Sequence, residues 1–351
     1  MTTTAERIPT PRSSGKPRPD HNIFFHIRNI CATLSNLPNK EKPDNDKQKT
    51  SAMVVLNSGI SWCSGTLNAW VGCTPVSAGC DNCYAASLVG RGFFGHKFED
   101  VKLHLNRLQQ LGKMKAHRAP DGTLSPFLCF VNSMSDFFHE QVPDEAIHTA
   151  LDAFERHPTT IMQILTKRPI RARKILVDRY GNSGMPANFW CGVSVEDNRV
   201  AGRLNILRTI KERTGGTMTA FASVEPIVGP TDALDFTGID WAIFGGESGP
   251  KARIMELAWL TAGIDHAKAA GSAVWLKQHG QIKSNPLLRH APEDRNLKER
   301  FQWLVDNGLE ILPLEKGGAT LEGKVTYRQF PPHYHAAKAS LNASRLERGM
   351  I

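Results

Sequence analysis

The sequence predicts an α/β fold, a partial or complete TIM-type (β/α) barrel with parallel strands, and leaves an open doubly wound sheet as the alternative. Between residues 127 and 280, six short apolar runs each end in a polar cluster, and the clusters recur every 22 to 31 residues. That interval is the length of one strand plus one crossover helix. The runs are almost continuously apolar, as parallel strands buried on both faces are.

The predicted elements follow in chain order. A first strand is expected within ISWCSGTLNAWVGC at 60–73. Helical apolar spacing predicts crossover helices between the later strands, where Pro143 marks the start of the first and Gly271 the end of the last. Those helices lie in PDEAIHTALDAFERHP, NRVAGRLNILRTIK and MELAWLTAGIDHAKAAG. The later strands lie in FLCFVNSMSD (127–136), TIMQILTKRP (160–169), FWCGVSVED (189–197), TAFASVEP (219–226), WAIFGGESG (241–249) and AVWLKQHG (273–280).

Three segments differ in composition. Residues 1–52 are rich in Pro, Ser, Thr, Asn and Lys, which predicts a disordered basic extension. Residues 53–280 carry the barrel domain, and residues 281–351 form a charged C-terminal extension, for which a cap over the barrel mouth is one interpretation. No run of eighteen apolar residues occurs and the N-terminus has no signal-peptide core, so a cytoplasmic protein without a membrane span is expected.

Charge is compatible with a nucleic-acid partner without requiring one. The net charge is +9, and most of it lies in residues 1–52 and 281–351. Such charge attracts polyanions, but basic ends of this kind are as often simply solvated.

Charged side chains end each predicted strand. In TIM-type and doubly wound folds, ligands bind at the carboxyl ends of the strands, so these residues are expected to line one site. The alternative for any one of them is that it caps the next helix or faces solvent. Gly245 and Gly246 would allow a ligand to approach the backbone closely. The strand-end residues are Asp136, Lys167, Glu196, Glu225, Glu247 and Lys277.

Three cysteines, Cys73, Cys80 and Cys83, follow the first predicted strand in a C-x6-C-x2-C pattern. In a reducing compartment such a cluster indicates metal binding rather than disulfides. Three thiolates can hold three irons of a 4Fe–4S cluster and leave the fourth iron open. They can also hold zinc, with a water or a fourth ligand such as His96 or Cys63.

Seven ordered motifs over about residues 60–280 carry a resemblance to known proteins; they are WVGCTPVSAGCDNCYA, SMSDFF, TKRP, GVSVE, SVEP, FGGESG and WLKQHG. The cysteine triad after the first strand of a βα repeat resembles the radical S-adenosylmethionine (SAM) superfamily. More closely, the motifs resemble a phage-associated three-cysteine family of unknown function. The spacing departs from the commonest superfamily pattern, because the first gap is six residues and Tyr84 follows the third cysteine.

The resemblance implies cofactors and roles. Cys73, Cys80 and Cys83 would ligate a 4Fe–4S cluster, an external donor would supply one electron, and SAM would be cleaved to a radical that abstracts hydrogen from a substrate, with a nucleic acid as one substrate class. As a hypothesis from their charge and strand-end positions, Lys167, Arg168 and Lys277 would bind an anionic substrate group, and the two lysines are also catalytic candidates. The candidates for SAM contacts are Ser133, Asp136, Glu196, Glu225, Gly245, Gly246, Glu247 and Tyr84.

Two other classes of function are weighed against this one. A zinc-dependent hydrolase is disfavoured because no H-x-E or HExxH pattern accompanies the cysteines. A zinc-stabilised nucleic-acid-binding protein is disfavoured because the carboxylates at four strand ends would repel phosphate. A radical SAM-type enzyme is therefore the leading hypothesis.

Overall fold

A parallel sheet curled into a half-barrel, with helices on its outer face, forms the body of the protein. The computed structural model describes residues 54–93, 95–249, 251–310, 318–321 and 327–347. All of them belong to one of two compact units of the chain, Lys47–Ile351. The predicted extension at 1–52 lies outside the described residues.

The described residues form twelve strands. The bounds are β1 (Val54–Val55), β2 (Gly65–Leu67), β3 (Trp70–Val71), β4 (Lys102–Leu103), β5 (His117–Arg118), β6 (Leu124–Ser125), β7 (Phe127–Val131), β8 (Thr160–Thr166), β9 (Phe189–Ser194), β10 (Thr219–Ile227), β11 (Trp241–Gly246) and β12 (Ala273–Gln278). The main sheet has the order β1-β2-β7-β8-β9-β10-β11-β12. All its neighbours are parallel except β1, which is antiparallel to β2. The prediction of a parallel βα barrel, in its partial form, is confirmed.

Seven α-helices accompany the strands in the described part of the chain. They are α1 (Tyr84–Leu88), α2 (Asp144–Glu155), α3 (Pro169–Tyr180), α4 (Gly202–Arg213), α5 (Leu257–Ala269), α6 (Leu297–Asp306) and α7 (Pro332–Glu347). None of the described helices is both long and apolar enough to cross a bilayer.

The three predicted crossover helices are present as α2, α4 and α5. Asp144 and Glu145 lie in the first turn of α2, where negative charge is favourable for the helix dipole. Its apolar residues recur at helical spacing and are buried against the sheet. A fourth crossover helix, α3, begins at Pro169, whose missing N–H costs nothing at the first helical position.

Alternation along the strands separates two cores. On β9, Cys191 and Val193 belong to the core beneath the helices, whereas Trp190 belongs to a second, aromatic cluster on the other face of the sheet. The residue between Cys191 and Val193 is Gly192, and it has no room for a side chain because a Cβ there would come within 2.5 Å of the Phe221 ring. We call this second cluster the aromatic floor; its large members are Trp62, Phe130, Trp190, Phe221, Trp241 and Trp275.

The described C-terminal residues cover the aromatic floor. The ring of Phe330 lies 4.8 Å from that of Trp275 and 5.7 Å from that of Trp241, and Tyr334 stacks on Phe330 at 4.3 Å. Farther up the chain, Gln281 donates to the carbonyl of Gly249, just past the carboxyl end of β11. The described parts of 281–351 thus reach both places, and the cap over the mouth stays a prediction.

Candidate functional site

The cysteine loop, residues 73–83, leaves the end of β3. Gly72 makes the turn at φ +112°, and a Cβ there would lie within 2.9 Å of the carbonyl oxygens of Phe98 and Asp100, so glycine is required. A short 3₁₀ turn over Ala78–Cys80 follows, and the Cys83 N–H donates to the Cys80 carbonyl at 3.2 Å. The three thiols are free and partly buried.

The loop lies across the carboxyl ends of the parallel strands. Ser77 Oγ donates to Glu196 Oε1 at 2.8 Å, just after β9, and Asn82 Nδ2 donates to Glu247 Oε2 at 3.0 Å, just after β11. The Tyr84 hydroxyl, at the start of α1, donates to the carbonyl of Ser133, just after β7. These contacts anchor one short loop to three different strand ends.

Arg168 anchors the first cysteine from the end of β8. Its Nη1 lies 3.5 Å from Cys73 Sγ, and its Nη2 donates to the carbonyl and the hydroxyl of Thr74 at 3.0 and 2.9 Å. Its Nε donates to Glu140 at 2.6 Å. Burial raises the pKa of the Cys73 thiol to about 11, although the nearby guanidinium lowers it. The guanidinium group of Arg168 therefore holds this end of the cysteine loop.

Asp136 organises the neighbouring strand end. The buried carboxylate accepts from Thr166 Oγ1 at 2.6 Å, from the Lys167 N–H at 2.8 Å and from the Phe138 N–H at 2.9 Å. Its Oδ2 also lies 3.4 Å from Arg168 Nη1. Both carboxylate oxygens of Asp136 already have protein partners. The contact with SAM stays a prediction, and SAM would have to share these oxygens with the present partners.

Glu196 lies directly beneath the loop and is 1% exposed. Besides Ser77, it pairs with Arg203 Nη1 at 2.9 Å and with Lys167 Nζ at 3.3 Å. A Cβ at Gly79 would come within 2.4 Å of Glu196 Cγ. Glycine is therefore what allows the loop to pass over this carboxylate, a requirement that the sequence pattern did not reveal.

Glu247 is held by Arg253, a residue that the sequence analysis missed. The guanidinium contacts both carboxylate oxygens, Nε at 2.9 Å from Oε2 and Nη2 at 2.5 Å from Oε1, and it also reaches Asp81 and the Ala78 carbonyl. Burial would raise the pKa of Glu247, but hydrogen bonds from Arg253 and Asn82 hold it below its ordinary value. The carboxylate stays charged beside the cysteine loop.

Glu225 on β10 and Lys277 on β12 form an ion pair across the intervening strand β11, with Nζ 3.1 Å from Oε1. Gly245, on β11 between them, has no room for a side chain because a Cβ would lie 2.4 Å from that same Oε1. At Gly246 a Cβ would lie 2.1 Å from the carbonyl oxygen of His279. Both glycines thus allow other protein atoms to lie close to the backbone of β11. The close approach of a ligand to this backbone stays a prediction.

The predicted site residues are therefore brought to one end of the sheet, where three partly buried thiols lie among fixed ion pairs. Thiols are soft donors suited to iron–sulfur clusters or zinc. Among the described residues, no three His, Cys, Asp or Glu side chains converge as they would around one metal ion. His96 and Cys63, the suggested fourth zinc ligands, thus form no such group with the triad.

Comparison with known proteins gives a family but no activity. A family model described as a protein of unknown function (DUF5131) matches residues 57–331. No curated protein matches the chain. A solved spore photoproduct lyase complexed with dinucleoside spore photoproduct is similar at 15% identity and a TM-score of 0.40, over 60% of this chain and 66% of that one. A lyase mutant with bound AdoMet and dinucleoside spore photoproduct is similar at 17% and 0.38, over 52% and 56%. Both matches span less than two thirds of the lyase chains.

Proposed function

We propose that this chain, which belongs to the family DUF5131 of proteins of unknown function, is an iron–sulfur enzyme of the radical SAM type. The observation that carries this proposal is the placement of a three-cysteine loop over the carboxyl ends of a parallel half-barrel. That end is where βα folds bind their ligands and perform chemistry. The motifs from 60 to 280 support the same interpretation.

The donor set fits a 4Fe–4S cluster. Cys73, Cys80 and Cys83 would each ligate a different iron, which leaves one iron without a protein ligand. A mononuclear zinc site instead needs its ligands to converge on one ion. Among the described residues, no three Cys, His, Asp or Glu side chains form such a convergent group.

A cluster held by Cys73, Cys80 and Cys83 would supply the one-electron reduction by which SAM is cleaved. The chain's own residues hold the loop and orient what binds beside it. Arg168 fixes Cys73, Glu196 and Glu247 fix the middle and the end of the loop, and Tyr84 ties α1 to the Ser133 carbonyl.

SAM and substrate would meet the ion pairs around the loop. Glu225 and Glu247 carry the negative charge expected to recognise the ammonium or the ribose hydroxyls of SAM, with Ser133, Asp136 and Glu196 close by. Lys167 and Lys277 are candidates for contact with an anionic substrate, each already within 3.3 Å of a carboxylate that holds its ammonium in place. We propose a nucleic acid as the substrate class and an external one-electron donor as a partner.

The proposal is tested by anaerobic incubation of the full chain with SAM and dithionite. We expect 5′-deoxyadenosine from the wild type, and none from Cys80→Ala. Cys191→Ala is the matched control, because this thiol is buried on the outer face of β9, and it should retain activity. Absence of 5′-deoxyadenosine from iron-loaded wild type would refute the proposal.

A further inference from the structure

A cleft of about 510 Å³ opens beside the cysteine loop, between the N-terminal ends of α3 and α4. We call it the arginine cleft. It shares a wall with the site, because Arg168 lines it and also contacts Cys73 Sγ at 3.5 Å. Its volume is in the range of pockets that hold organic ligands. The residues that matter are Lys167, Arg168, Ile170, Arg171, Arg199 and Arg203.

Three of these arginines retain free donors within the described part of the chain. Arg203 uses only Nη1, toward Glu196 and the Ser194 carbonyl, so that Nε and Nη2 have no partner although the side chain is only 10% exposed. Arg199 uses Nε and Nη2 but not Nη1. Arg171 uses both terminal nitrogens but not Nε.

The free donors are fixed before any ligand arrives. Asp144, Asp197 and Glu196 each hold one of the three guanidinium groups, and none of these carboxylates lines the cleft. Fixing a side chain in advance reduces the entropy lost when it binds. Glu140 is the one acid in the lining, and it is paired with Arg168 at 2.6 Å.

The shape of the donor set favours phosphate. Arg203 presents its unpaired Nε and Nη2 side by side, an N–H pair that matches two oxygens of a phosphate group, and Arg171 Nε and Arg199 Nη1 add further donors. Two helix N-termini add favourable partial charge. Ile170, 67% exposed, and the side chains of Val200 and Ile206 give the same cleft an apolar wall, which suits a sugar or a base. Phosphate beside an apolar group is the composition of a nucleotide unit.

We infer that the arginine cleft binds the phosphate backbone of a nucleic-acid strand and thereby holds the substrate beside the cysteine loop. This inference rests on the proposed function for its purpose, although binding itself does not require the cluster. The exposed positions of Ile170 and Arg199 leave the cleft open for a strand to continue beyond it.

The test is fluorescence anisotropy with the full chain and a fluorescein-labelled single-stranded oligothymidylate, over a series of salt concentrations. Arg199→Ala should raise Kd about fivefold and lower the salt slope by about one phosphate contact. Ile170→Asp, a surface change that places a carboxylate in the cleft, should raise Kd more than about tenfold. Arg173→Ala is the matched control, because this exposed arginine of α3 does not line the cleft, and it should stay within about twofold of the wild type.

Other outcomes separate the alternatives. Equal losses of affinity for the probe in Arg173→Ala and Arg199→Ala would indicate diffuse electrostatic attraction and would contradict a specific site in the cleft. If thymidine monophosphate displaces the labelled strand as well as unlabelled oligothymidylate does at the same phosphate concentration, the cleft binds a free nucleotide and not a strand. SAM cleavage by the wild type is measured separately, without the oligothymidylate. If the chain binds the oligothymidylate but does not cleave SAM, only the proposed enzyme activity is refuted. If it cleaves SAM but does not bind the oligothymidylate, only the role of the arginine cleft is refuted.

Discussion

At the scale of single residues, the site is built from charged side chains that hold one another. Arg168 joins Cys73, Thr74, Asp136 and Glu140 in one network, in which Arg168 and Asp136 are buried. Removing either of these two leaves the charge of the other buried with fewer partners, which costs more than the bond itself contributes. The cysteine loop is therefore held in place before any cofactor arrives.

Glu247 tests the SAM site at this scale. Glu247→Gln keeps the shape and one acceptor oxygen but removes the charge, so SAM should bind about tenfold more weakly while the iron content is unchanged. Equilibrium dialysis with labelled SAM and iron analysis measure the two quantities. Glu212→Gln, an exposed glutamate of α4, is the control. Unchanged SAM affinity in Glu247→Gln would contradict the role.

His104 makes stability depend on pH. Burial, with Arg107 beside it, lowers the pKa of His104 to about 4, below the ordinary value near 6.5. Between these values the unfolded chain binds a proton that the folded chain does not, so stability falls as the pH drops from 6.5 toward 4. His104→Gln should lose about 1 kcal/mol less than the wild type between pH 7 and pH 5 in urea unfolding. Identical losses would show that His104 does not contribute.

At the scale of elements, the cysteine loop depends on one glycine. Gly79→Ala would place a Cβ 2.4 Å from Glu196 Cγ, so that the loop must lift away from β9 and the Ser77 bond to Glu196 is strained. We expect a loss of about 1–3 kcal/mol in unfolding free energy and less than half the wild-type iron.

Gly90→Ala is the matched control for that experiment. It follows α1, has no atom within 4 Å of its Cβ position and no positive φ. Its iron content and unfolding free energy should match the wild type. If Gly79→Ala behaves as Gly90→Ala does, the loop is not confined in the way described.

At the scale of the whole molecule, the aromatic floor supports the half-barrel. Trp241 is fully buried, and its ring centroid lies between 5.8 and 6.2 Å from those of Trp62, Trp190, Phe221 and Trp275. Trp241→Ala should cost about 3–5 kcal/mol of unfolding free energy, and Trp241→Phe clearly less, because less volume is lost. A small effect of Trp241→Ala in urea unfolding would show that the floor carries little of the stability.

The fold was largely predictable, and the contacts within the site were not. Continuous apolar runs identify β7 to β12, and charged residues after them identify the end of the sheet where the site lies. Arg253 could not be found this way, because it follows Glu247 by six residues in an irregular segment and acts only through the folded loop. Gly79 was equally hidden, since its neighbour Glu196 is distant in sequence.

The central claim is that the three cysteines hold an iron–sulfur cluster, and metal analysis of anaerobically purified chain tests it most directly. We predict about four irons and four sulfides per chain in the wild type and in Cys191→Ala, and a loss of most of both in Cys80→Ala. About one zinc per chain, without sulfide, would contradict the account.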